Sequence, residues 1–269
     1  MKNGYFVIDS HCHIYPEKIA AKAVAGTDKF YDTVAACLGT PSDLIEVNKR
    51  AGVDHSLVQS VATTPKQVRS INEFIAATVD ASPDRLTGLG TLHPNSDDLR
   101  SDVEHLISLG LKGVKLHPDI QNFKVDDYRC LKIYELCEEF SLPLLMHTGD
   151  KRYDNSNPNR LIPILKIYDR IKIIGAHFGG WSIWEEASHV LCDMPNLYVD
   201  CSSSMPWISD EKTVEIIRRY GADRVLFGTD YPMWSPVNEL ERFMNLPLSD
   251  VERRMILSEN VCKVYELNI

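Results

Sequence analysis

The stretch FVIDSHCH (6–13) is a short apolar run of strand length that ends on two histidines. Seven runs of the same kind follow: HSLVQSVA (55–62), LTGLGTLH (86–93), KGVKLH (112–117), PLLMHTG (143–149), IKIIGAHF (171–178), LYVDCSS (197–203) and RVLFGTD (224–230). Amphipathic segments separate them, among them DLRSDVEHLISLG (98–110), DYRCLKIYELCEEFS (127–141) and EKTVEIIRRYG (211–221), with apolar residues three and four apart and glycine near two of the ends. Strands that alternate with helices argue for a parallel sheet, and eight such units close into a (β/α)8 TIM barrel. A doubly wound open sheet is the competing fold, but it would carry a glycine-rich turn after its first strand, and here the strand ends carry histidines instead.

Bulk properties agree with one α/β domain over residues 1–269: 44% of the residues are hydrophobic and 25% charged, with no internal repeat, low-complexity tract or linker. A net charge of −9 and the absence of any basic run disfavour nucleic acid and favour a small-molecule partner. No stretch has the ~20 apolar residues needed to span a bilayer, and MKNGYFVIDS lacks a signal-peptide layout, so no membrane association and a cytoplasmic location are expected. The seven cysteines include no CxxC pair and are expected as packed thiols, Cys12 among them. Two connections are long. Residues 14–42 are expected to form a partly helical insertion after strand 1 and residues 150–159 a polar loop, both on the face where barrel enzymes carry their sites.

Six of the nine histidines, His11, His13, His93, His117, His147 and His177, fall at or near strand C-termini, and Asp230 ends the last strand. Side chains alternate along a strand, so His11 and His13 share one side and point into the barrel mouth. Neutral imidazoles with a carboxylate are what Zn2+ and similar ions take, and three histidines with an aspartate would leave a position for water.

The motifs IDSHCH (8–13), GVKLHP (113–118), MHTG (146–149), AHFGG (176–180) and FGTDYP (227–232) resemble the amidohydrolase superfamily, and more narrowly its group that includes aminocarboxymuconate semialdehyde decarboxylase. NVCKVY (260–265) is similar to that group's last helix. The resemblance implies one divalent ion, Zn2+ first and Mn2+ second, held by His11, His13, His147 and Asp230. It implies that His177 acts beside the ion as acid/base or water-orienting residue, and that Asp230 also accepts the water proton. Lys115 has three readings: a carboxylated bridge between two metals, a contact to an anionic substrate, or an ion pair with a residue such as Asp9. Asp9 could instead fix a ligand's ring.

Further candidates for substrate contact are His117 and His93, either of which could equally be a packed histidine; Trp181 among four tryptophans that follow strands six to eight; and Arg152 with Lys151 and Arg160, ordinarily solvated groups. The expected activity is hydrolysis of an amide, lactone or other ester-like bond of a small, carboxylate-bearing molecule. The alternative is non-oxidative decarboxylation of an unsaturated or aromatic acid by a lyase, because fold and metal do not separate the two. The compact chain favours the hydrolase, and a homodimer is possible.

Overall fold

The computed structural model describes residues 1–269. Strands β1 (Ile8–His13), β2 (His55–Gln59) and β3 (Leu86–Gly88) form one parallel ladder; β4 (Gly90–Thr91), β5 (Val114–Leu116), β6 (Leu144–Met146), β7 (Ile173–Gly175), β8 (Leu197–Asp200) and β9 (Val225–Leu226) form a second. β3 and β4 are two halves of a single expected strand. Leu89 breaks it: its amide bonds Val58 O at 2.9 Å, while the amide of Gly90 turns to Gly113 O at 2.9 Å, so the break still joins the two ladders. Gly90 is needed there, because a Cβ would lie 2.2 Å from Leu106 Cδ1. At the other seam the amide of Ser10 donates to Phe227 O at 2.9 Å, and Cys12 pairs with Tyr231 in a parallel bridge. The ring is the expected eight-stranded barrel with its third strand kinked.

The helices are α1 (Glu17–Tyr31), α2 (Pro41–Ala51), α3 (Val68–Asp80), α4 (Leu99–Ser108), α5 (Pro118–Gln121), α6 (Tyr128–Glu139), α7 (Pro158–Ile167), α8 (Trp184–Leu191), α9 (Asp210–Tyr220), α10 (Pro236–Asn245), α11 (Asp250–Arg254) and α12 (Asn260–Tyr265). Their starts follow from local chemistry: the side chains of Asp98, Asp127 and Ser209 accept first-turn amides of α4, α6 and α9, and Pro41 opens α2 behind the Thr40 cap. Inward residues Ile8, Leu57, Leu89, Leu145, Ile174 and Leu226 fill the barrel, and Val261, Val264 and Tyr265 of α12 plug its lower end. The opposite strand faces pack on the helices in a larger core that includes Cys12, and all seven cysteines are free. No helix is long and apolar enough to cross a membrane.

Both long connections lie over the mouth. The 14–42 insertion is α1 and a return segment; Tyr231 anchors that segment, its hydroxyl accepting from Gly39 N at 3.1 Å and meeting Asp43 Oδ2 at 2.8 Å. Residues 150–159 meet it where Arg152 Nη1 donates to Phe30 O at 2.9 Å. Gly149 begins this second loop with φ +76°, and a Cβ there would sit 2.5 Å from the Gly180 backbone. Backbone cannot yield as a side chain does, so Gly149→Ala is expected to destabilise the protein by about 1–3 kcal/mol, read as a lower Tm. An unchanged Tm would mean that the two segments separate freely.

Candidate metal centre and its cavity

His11 and His13 reach the mouth from β1, whose register shifts between Asp9 and Cys12, and their Nε2 atoms lie 3.2 Å apart. Asp230 follows β9, its amide bonded to His11 O at 2.9 Å, and its Oδ1 lies 3.4 Å from His11 Nε2 and 3.6 Å from His13 Nε2. Ligands about 2.1 Å from a tetrahedral ion stand about 3.4 Å from one another, so this triangle has the dimensions of a coordination face. The other oxygen of Asp230 accepts from Ser203 Oγ at 2.6 Å, and Ser203 Oγ accepts in turn from Trp234 Nε1 at 2.8 Å.

Asp200 prepares the triangle. Its Oδ2 lies 2.8 Å from His11 Nδ1, which places that ring's proton on Nδ1 and leaves the Nε2 lone pair facing the site. Its Oδ1 accepts the amides of His177 and Ser202, each at 3.0 Å. Burial alone would raise the Asp200 carboxyl, but the attraction and hydrogen bond of His11, with His177 and Ser202, hold it well below the usual carboxylate range. Asp9 does not orient a ring: it accepts the amides of His11 at 3.2 Å and Thr229 at 2.9 Å, clamping the first strand to the last.

His147 does not join the triangle and stands in a cluster with His117 and Asp119. Its Nε2 faces Gly149 O at 3.1 Å, and a carbonyl can only accept, so the ring proton is on Nε2 and the Nδ1 lone pair is free. The same logic puts the His177 proton on Nδ1, 3.0 Å from Ser202 O. His147 Nδ1 and His177 Nε2 then face each other across 3.1 Å. Two lone pairs at that distance repel unless a cation or a proton lies between them, and the donor set therefore fits a metal ion. Burial, reinforced by Lys115 and neighbouring imidazoles, holds His13, His117 and His147 well below the ordinary histidine range and His177 at about 4, so all four are in the neutral form that ligation needs.

Lys115 points inward, fully buried, with Nζ 3.0 Å from His11 Nε2 rather than paired with Asp9, and burial lowers it to about 8. Above these groups opens a cavity of about 860 Å³, with the triangle, Lys115, His147 and His177 at its floor. Trp181, Trp207 and Trp234 stand in its walls, together with Phe30 and Phe74; Trp184 instead packs on the outer core. His117 lines the cavity and stacks on His147 at 4.0 Å. Arg152, expected as a substrate contact, does not line it: its guanidinium is spent on Asp150, 2.7 Å from Oδ2. Arg160 pairs with Asp126 and Asp154, and His93 Nδ1 accepts the Asn95 amide at 3.2 Å. Sequence reasoning missed Asp200, Ser202 and Tyr31. The parity of LYVDCSS, which sets Asp200 against the outward Val199, was a usable signal for the first. Tyr31, at the end of a helix in an insertion, offered none.

A family model described as amidohydrolase matches residues 8–267. The 2-amino-3-carboxymuconate-6-semialdehyde decarboxylase of Dictyostelium discoideum is 23% identical over 289 residues, covering 88% of this chain and 77% of that protein. Among solved structures, an uncharacterized TIM-barrel protein of Bordetella bronchiseptica superposes with a TM-score of 0.80 at 22% identity, covering 96% of this chain and 97% of the other. The 5-carboxyvanillate decarboxylase of Novosphingobium aromaticivorans, complexed with manganese and 4-hydroxy-3-methoxy-5-nitrobenzoic acid, superposes with a TM-score of 0.78 at 16% identity, covering 99% and 97%. At these identities the structural likeness establishes a shared fold.

Asp200→Asn is expected to weaken metal binding roughly 10–100-fold in a chelator competition, because the replacement amide no longer enforces the His11 tautomer; undiminished affinity would refute that role. The pH dependence of the metal-stripped protein has a definite sign. His177 has a folded value of about 4 against an ordinary 6.5, so the unfolded chain binds more protons in between. Its contribution to stability is intact above about pH 6.5 and is lost as pH falls toward 4, and melting curves across that window should show Tm declining.

Proposed function

Because this chain belongs to the amidohydrolase family, we propose that it removes CO2, without oxidation, from a small aromatic or unsaturated carboxylic acid, with one divalent ion as cofactor. The observation that carries this reading is the cavity itself: aromatic walls, metal donors at the floor, and one buried ammonium, Lys115, without a carboxylate partner. A flat acid is complementary to all three. Hydrolysis of an amide, lactone or ester, the expectation from sequence, is less well supported. The Dictyostelium and Novosphingobium proteins are both named decarboxylases.

In the reaction, the bond between the carboxyl carbon and its neighbour breaks, CO2 leaves, and a proton takes up the electron pair left on carbon. His11, His13 and Asp230 would hold the ion, with His147 Nδ1 as fourth donor; when bound it supplies positive charge that orients the substrate oxygens and offsets the developing negative charge. Lys115 contributes a second positive charge to the carboxylate. A substrate seated between the aromatic walls would displace water from the floor, which favours moving charge out of the carboxylate. His177 is held through Nδ1 and its amide with Nε2 3.1 Å from His147 Nδ1; with that lone pair of His147 given to the ion, His177 Nε2 would be left to handle the proton with Asp230.

The test is CO2 release by protein loaded with Mn2+ or Zn2+, assayed on hydroxylated benzoates and on 2-amino-3-carboxymuconate semialdehyde, beside a panel of lactones and amides. Release of CO2 with one ion per chain by elemental analysis is expected; turnover of the lactone panel alone would restore the hydrolase. His177→Asn should retain the metal while kcat falls by about 10²–10⁴. Asp230→Asn and His13→Ala should each lose metal and activity together, and full metal content in both would remove the ligand assignment.

A further inference from the structure

Tyr31, the last residue of α1, lines the cavity, and its hydroxyl has an unbalanced set of hydrogen bonds. The oxygen lies 2.7 Å from His117 Nε2 and 3.5 Å from His147 Nε2. Both nitrogens carry their ring proton. In His117, Nδ1 accepts the Ile120 amide at 3.3 Å, which leaves the proton of the neutral ring on Nε2. In His147, Nε2 donates to Gly149 O at 3.1 Å. The Tyr31 oxygen therefore accepts from His117 Nε2 and cannot donate to either nitrogen, so its own proton has no protein acceptor. A donor left unpaired beside apolar walls is costly unless a ligand satisfies it.

The hydroxyl is also held in place. The Tyr31 ring meets Trp181 edge-on at 5.2 Å, and the Arg152 guanidinium stands 5.3 Å from its centroid. That guanidinium is fixed by Asp150 and by Phe30 O, and His117 is fixed by its stack on His147. The Arg152 guanidinium thus packs among the rings of Phe30, Tyr31, Tyr153 and Trp181.

We propose that the Tyr31 hydroxyl is a specificity-determining donor that binds an oxygen substituent, phenolic or carboxylate, carried by the substrate in addition to the carboxylate it loses. The inference rests on the decarboxylase reading above. A site built to donate to a substrate oxygen discriminates against the analogue that lacks it, because the buried donor is then left unpaired.

The experiment is calorimetric titration of the manganese-loaded wild type and Tyr31→Phe with benzoate, 2-hydroxybenzoate and benzene-1,3-dicarboxylate. Metal content and Tm serve as controls for the fold of the variant. Phenylalanine keeps the ring and its contacts with Trp181 and Arg152 and removes only the O–H. Wild type should bind at least one oxygen-bearing acid more tightly than benzoate. Tyr31→Phe should weaken that acid by about tenfold while benzoate changes less than twofold. Which of the two acids responds identifies the substituent as phenolic or carboxylate. Equal wild-type affinity for all three acids, or equal losses in the variant, overturns the inference and leaves the decarboxylase reading standing; the wild-type comparison holds even if the variant does not fold. Binding of none of the acids at one metal per chain overturns both.

Discussion

A single buried carboxylate, Asp200, ties the centre together. It bonds the His11 ring and the amides of His177 and Ser202, three points that belong to three different strand ends. Burying an ionised carboxylate costs several kcal/mol unless its oxygens are hydrogen-bonded and an opposite charge lies close; Asp200 has the hydrogen bonds, and the Lys115 ammonium supplies the charge. Because it accepts only, it dictates which His11 nitrogen has a lone pair to give. The carbonyls of Gly149 and Ser202 do the same for His147 and His177. Ligand chemistry at the mouth is thus imposed from one layer below.

That layer also sustains backbone strain. His177 and Asp230 adopt φ of +60° and +61°, a left-handed conformation that costs a residue with a Cβ roughly 1–2 kcal/mol. Each is held by its own amide, to Asp200 and to His11 O. Asp9 clamps Thr229 directly before Asp230. The contacts that close the barrel between its first and last strands are therefore the ones that present Asp230 beside His11 and His13.

Periodicity alone made the barrel legible, because strand-length runs and helical spacing survive in any environment. The kink at Leu89 was not legible: it depends on Leu106 of α4 approaching Gly90, a contact between residues 16 apart in the chain. His11, His13 and Asp230 could be read from their place at strand ends, and alternation turned Lys115 inward as anticipated. Side-chain pairing was beyond reach. Arg152 had the right charge and the right loop, yet Asp150, two residues before it, engages the guanidinium. Asp200 faces inward beside the outward Val199, whereas Asp9, beside the inward Ile8, meets the amides of His11 and Thr229; the register shift between Asp9 and Cys12 then turns His11 inward to meet Asp200.

Helix α1 supplies Ile19, Phe30 and Tyr31 to the cavity wall, yet it contributes no strand and buries only Ala20 and Val24. Ring closure runs instead through Ser10, Cys12, Leu89 and Gly90. The part of the chain that shapes the pocket is physically separate from the part that keeps the scaffold shut. The inner face of α1 borders the cavity without taking part in the barrel's hydrogen bonds, so the shape of the pocket and the closure of the ring rest on different residues, and one fifteen-residue segment can vary in the first without touching the second.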